Sequence, residues 1–234
     1  MAFSMPTVSR RMLSRRLALL AALGSLLLGA GGAPAAPEGE CVTIDDFASA
    51  KIGEFPPGWK ARKSAGKGVY SVQEENGVRF LRAVSRGLGI QAAREHGWDL
   101  TTHPVLAWAW RVREFPNGAD ERDSKKNDSA LAVYAVFPHS PMSVKAVKHI
   151  WSAQVPQDTH LTGNLGLTQV RVLRSGAAPA GEWVEERVNV LESYRRYFGE
   201  AEAPKPLGIA VLTDSDDTKS QAQGDYARFR VCRP

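Results

Sequence analysis

The stretch from Val105 to Phe137, VLAWAWRVREFPNGADERDSKKNDSALAVYAVF, decides the fold class. Its opening alternates: Leu106, Trp108, Trp110 and Val112 fall on one face, Ala107 and Ala109 on the other. Such a period of two marks a strand whose larger side chains enter a core. Leu131 to Phe137 is apolar or aromatic on both faces, the pattern of a central strand covered on each side. Between them, Arg113 to Ser129 is a charged excursion that reads as a long exposed loop, and such loops on rigid scaffolds often carry function.

The same rhythm extends in both directions. Val69 to Gln73 and Val78 to Ser85 flank Asn76-Gly77, a strong two-residue hairpin signal. Val42 to Phe47, His149 to Val155, Gln169 to Leu173, Trp183 to Val190, Leu207 to Leu212 and Tyr226 to Val231 complete about ten strands. Leu191 to Phe198 has helical spacing and stops at Gly199, as a short helix with a glycine cap would. Many short strands with Gly and Pro punctuation predict an all-β sandwich or barrel.

Residues 1–35 read as a signal peptide. Arg10, Arg11, Arg15 and Arg16 form a basic start, Leu17 to Leu28 an apolar core, and Ala33-Pro34-Ala35 a cleavage site. The apolar core is shorter than the roughly 20 residues that span a bilayer. The expected product is periplasmic or secreted, with no stable membrane span after cleavage. Those four arginines account for most of the formal net charge of +5. Without them, residues 36–234, expected to form a single domain, are close to neutral, which argues against nucleic acid as a partner. Cys41 and Cys232 are the two cysteines of the chain. In an oxidising compartment they are expected to bridge, making the first and last strands neighbours.

Beyond this patterning, the chain resembles a known family. Ile44-Asp45-Asp46-Phe47, Pro57-Gly58-Trp59, Leu106-Ala107-Trp108-Ala109-Trp110 and Val133-Tyr134-Ala135-Val136-Phe137 carry the likeness. So do Ile150-Trp151, Val172 to Gly176, Tyr194 to Gly199, Thr213-Asp214-Ser215-Asp216 and Gly224-Asp225. Together they resemble the bacterial exported proteins grouped as domain of unknown function 3047, a name that implies no activity. The Asp-Asp-Phe and Gly-Trp opening and the final Gly-Asp also resemble jelly-roll carbohydrate-binding modules. That likeness implies a two-sheet antiparallel β-sandwich of jelly-roll type, with one short helix near 191–198.

The site residues are weighed on their chemistry. Asp214-x-Asp216-x-Thr218 after an apolar strand matches a phosphatase nucleophile motif locally. However, only sixteen residues follow Thr218, and the surroundings are not α/β. Oxygen-only donors suit a hard cation instead. A structural Ca2+ is one reading, either at Asp214 and Asp216 or where Asp45 or Asp46 meets Asp225; the other is acidic turns that face solvent or cap backbone amides, and no cofactor is required. Trp108 and Trp110 belong to the core, whereas Trp59 and Trp98 lie near turns and are the candidate ligand-binding aromatics. No catalytic set is assigned: the histidines lack metal-ligand spacing, and Glu182, Glu185 and Glu186 read as solvent-facing glutamates on an edge strand. The expectation is an exported non-catalytic binding module for glycan or another cell-envelope component. The alternatives are a hydrolase acting on envelope polysaccharide, or a structural, protein-interaction domain with no small ligand.

Overall fold

The computed structural model describes residues 40–177 and 181–234; the expected signal peptide lies outside the described residues. In chain order the strands are β1 (Cys41–Asp45), β2 (Trp59–Ala61), β3 (Tyr70–Glu75), β4 (Val78–Arg86), β5 (Ala92–Glu95), β6 (Val105–Glu114) and β7 (Leu131–Ser140). They continue as β8 (Ser143–Ser152), β9 (His160–Gly163), β10 (Thr168–Ser175) and β11 (Val184–Asn189), then helix α1 (Val190–Phe198), β12 (Gly208–Leu212) and β13 (Gln221–Cys232). Sheet one has the order β11-β6-β13-β4-β3, with β1 pairing β13 beyond the end of β4. Sheet two has the order β2-β5-β12-β7-β8-β10-β9. The result is a two-sheet β-sandwich of jelly-roll type with one short α-helix.

The core forms where the alternating faces of the sheets meet. From β6 come Leu106, Trp108, Trp110 and Val112; from β7, Leu131, Val133, Ala135 and Phe137. Trp108 packs edge-on against Trp110 at 5.3 Å, and Trp110 reaches Trp151 of β8 at 6.0 Å. Two tyrosines cross this core with their hydroxyls. Tyr226 of β13 donates to Leu212 O (2.8 Å) and accepts from Ala132 N (3.2 Å), while Tyr70 of β3 donates to Ile90 O (2.8 Å). The sheets are thus joined by polar as well as apolar contacts.

Local chemistry accounts for the joints. Asn76 and Gly77 both take positive φ (53° and 75°), as the expected hairpin turn between β3 and β4 requires. Asn189 caps α1 by accepting from Glu192 N at 3.0 Å, and Gly199 closes the helix in the left-handed conformation. The expected Cys41–Cys232 bridge is present and fastens β1 to β13.

Two expectations need revision. The sandwich is not wholly antiparallel, because β8 and β10 pair in parallel after a connection that contains β9. Nor is the charged excursion simply an exposed loop: Glu121, Asp128 and Ser129 within it are buried.

Candidate functional site

Two places gather functional chemistry, at opposite ends of β12. Gly208 pairs with Glu95, so the start of β12 lies beside the end of β5 and the turn that follows it. The end of β12 runs into the loop 213–220.

At the first place, the turn after β5 meets α1 and the segment that follows it. Trp98, Asp99 and Thr101 face Leu191 and Arg195 of the helix and Glu202 and Lys205 beyond it, around a cleft of about 550 Å3. That is the size of a small-ligand site. Trp98 is only 5% exposed, and its indole N–H has no hydrogen-bond partner. Asp99 is held by the amide and hydroxyl of Thr101 (2.8 and 2.7 Å), which keep its carboxyl below its ordinary pKa. Arg195 Nε donates to Ala201 O at 2.7 Å, fixing the guanidinium on the cleft wall.

The second place lies on the face of sheet two turned away from sheet one. Register sets Ala93, Ala210, Tyr134, Lys148 and Val170 in one row across five strands. Lys148 is buried and lies 5.6 Å from the centre of the Tyr134 ring. Burial acts to lower its pKa, but Tyr134, Asp214 and Glu121 outweigh this and hold it above the ordinary lysine value. Glu121 accepts from Ser129 (3.0 Å) and Ser152 (2.5 Å), although burial still raises its pKa. Asp128 accepts from the amides of Asp217 (3.1 Å) and Thr218 (2.7 Å) and from the Thr218 hydroxyl (2.6 Å). The formerly separate acidic segments 120–128 and 214–217 are thereby brought together. Burial foremost, then the hydrogen bond with Asp216, pushes the Asp214 carboxyl up to about 8.

Asp214 and Asp216 lie close together, since a Cβ at residue 89 would be 2.6 Å from Asp214 Oδ1 and 2.5 Å from Asp216 Oδ1. The phosphatase reading fails on its surroundings, since β12 pairs antiparallel with both β5 and β7.

Several sequence-predicted residues have other partners. Asp225 is fully buried among three arginines: Arg82 (2.8 and 3.0 Å), Arg111 (2.7 Å) and Arg113 (3.0 Å). Burial alone would raise its pKa, but these hydrogen bonds hold it below the usual carboxylate value. Asp45 instead accepts from Trp59 Nε1 (2.8 Å) and Phe47 N (2.8 Å) and faces Arg94 at 3.4 Å. Asp46 makes only a local turn contact with Ala48 N. The proposed meeting of Asp45 or Asp46 with Asp225 around a cation is therefore corrected: guanidinium groups already neutralise Asp225. Trp59 also departs from its assigned role, being buried and packed between Phe47 and Phe229 at 5.8 Å from each. Of the two candidate aromatics, Trp98 lines a cleft. Glu185 pairs with Arg230, while Glu186 accepts from Trp110 Nε1 (3.1 Å) and Arg174 (2.5 Å), so the two glutamates of this edge strand serve separate ion pairs.

A family model described as "Protein of unknown function (DUF3047)" matches residues 57–230. The chain belongs to the DUF3047 family. No curated protein matches it. Among solved structures, the family 29 carbohydrate-binding module CBM29_1 from Piromyces equi is similar at 7% identity and TM-score 0.36, covering 83% of this chain and 91% of the module. The xyloglucanase domain of NopAA, a type three effector from Sinorhizobium fredii in complex with cellobiose, is similar at 10% identity and TM-score 0.41, covering 79% and 99%. The family 11 xylanase from Neocallimastix patriciarum is similar at 10% identity and TM-score 0.33, covering 75% and 92%. Among the described residues of this DUF3047 protein, no helix is long and apolar enough to cross a membrane.

Proposed function

We propose that this DUF3047 protein is an exported, non-catalytic module that binds a glycan of the cell envelope in the Trp98 cleft. The observation that carries the reading is the buried indole N–H of Trp98, without a partner, in a residue lining a cleft of about 550 Å3. A buried donor left unsatisfied costs free energy, and a ligand oxygen is a natural partner for it. Asp99, Glu202, Arg195 and Lys205 provide carboxylates and cations around it, a lining suited to hydroxyl groups that both donate and accept. Export is supported by the Cys41–Cys232 bridge, since disulfides persist in oxidising compartments.

Tryptophan fluorescence and calorimetry, with soluble β-glucan oligomers and peptidoglycan fragments as probes, test the proposal. Saturable binding is expected, weakened at least ~10-fold in Trp98→Phe, which keeps an aromatic ring but loses the N–H. Failure of every glycan to bind, or unchanged affinity in Trp98→Phe, overturns it. A reducing-end assay on the same incubations is expected to show no product; steady release would establish the hydrolase reading instead.

A further inference from the structure

The cluster at the far end of β12 has a geometry that the glycan cleft does not explain. Asp128, Asp216 and Asp217 each offer a carboxylate oxygen, and these oxygens all lie within 4.8 Å of one another. An acidic loop alone would mean little, because solvated aspartates are common. Asp214 adds a separate fact. It is only 8% exposed, yet its Oδ1 meets no hydrogen-bond donor.

Gly89 shows where that oxygen points. Its backbone forms a bridge with Asp214, and a Cβ built on it would lie 2.6 Å from Asp214 Oδ1 and 2.5 Å from Asp216 Oδ1. The two oxygens therefore lie near each other against the Gly89 backbone, an approach that a side chain at residue 89 would block. Asp128 accepts from the amides of Asp217 and Thr218, so two segments far apart in sequence are held together at these carboxylates.

We propose that Asp128, Asp214, Asp216 and Asp217 form a Ca2+ site that pins the loop 213–220 to the segment 115–130. Oxygen donors alone select a hard cation, and Ca2+ accepts six to eight oxygens at about 2.3–2.6 Å in flexible geometry. Lys148, also near Asp214, partly offsets the local negative charge. Mg2+ fits less well, because it demands near-octahedral geometry and keeps more of its water.

Calorimetric titration of the chelator-treated protein with Ca2+ is expected to give saturable binding with a Kd of about 10⁻⁴ M, in the range of extracellular calcium modules. It should also raise the melting temperature, since the ion binds the folded state. Asp216→Asn is expected to weaken binding at least ~10-fold. Gly89→Ala, which removes no charge but drives a methyl group against Asp214 Oδ1 and Asp216 Oδ1, should do the same. Asp158→Asn, elsewhere on the surface, should leave binding unchanged. Circular dichroism establishes that each variant is folded. The inference is overturned by absence of saturable Ca2+ heat, by unchanged affinity in folded Asp216→Asn and Gly89→Ala, or by tighter binding of Mg2+ than of Ca2+. None of these readouts uses a glycan, so the site stands or falls independently of the cleft.

Discussion

His149 shows how a single side chain couples this fold to pH. It lies on the core face of β8, fully buried, with its ring 5.7 Å from that of Trp108. Neither ring nitrogen has a hydrogen-bond partner. Burial first, and the charge of Arg171 second, pull its pKa from 6.5 down to about 3. Between those values the unfolded chain binds the extra proton and the folded chain does not, so the stability from this residue is complete above about pH 6.5 and declines as pH falls towards 3. The loss between pH 7 and pH 4 is of the order of 3 kcal/mol. His149→Phe cannot protonate. Urea denaturation from pH 4 to 7 should show the variant gaining on the wild type by roughly that amount at the acidic end. A stability difference independent of pH would refute the assignment. Asp214 works in the opposite sense, since its raised pKa makes the folded state the better proton binder.

At the scale of elements, the sandwich depends on contacts that cross it. Tyr226 connects β13 in one sheet with β12 and β7 in the other through a single hydroxyl. Tyr226→Phe preserves the apolar packing and leaves buried backbone groups without that partner. It is expected to cost about 1–3 kcal/mol, read as a lower urea midpoint with an unchanged denaturant slope. No change in midpoint would mean that neighbouring groups satisfy the backbone unaided. The elements themselves were unequally legible. Strands such as β6 and β7 carry enough apolar periodicity to announce themselves. By contrast β2, β5 and β9 are only three or four residues long and include Lys60, Arg94, Glu95 and His160. They are strands because neighbours pair with them, and local propensity does not record that. The parallel pairing of β8 with β10 was hidden for the same reason. At the acidic site, Asp214 and Asp216 were visible as a motif at a strand end. Asp128 and Glu121 were not, because their burial comes from partners such as Thr218 and Ser152, distant in sequence. Lys148 left a fainter signal: a lone cation on the same strand face as Ala146 and Ile150.

For the molecule as a whole, one covalent bond closes a loop with a sequence separation of 191. In the chain-entropy model such a closure contributes about 5 kcal/mol by restricting the unfolded chain. Replacing Cys41 and Cys232 together with serine should therefore lower the melting temperature substantially, and added reductant should have no further effect on the variant. An unchanged melting temperature would show that the sheets alone determine stability. The position of the bridge has a mechanical consequence as well. Cys41 faces Cys232 across adjacent strands, so the chain enters and leaves the sandwich at one point. Tension applied between residues 40 and 233 would run through the sulfur–sulfur bond and bypass the thirteen strands found among the described residues. A domain tethered at both ends would then transmit load like a closed link in a chain, its binding surfaces undistorted by the pull.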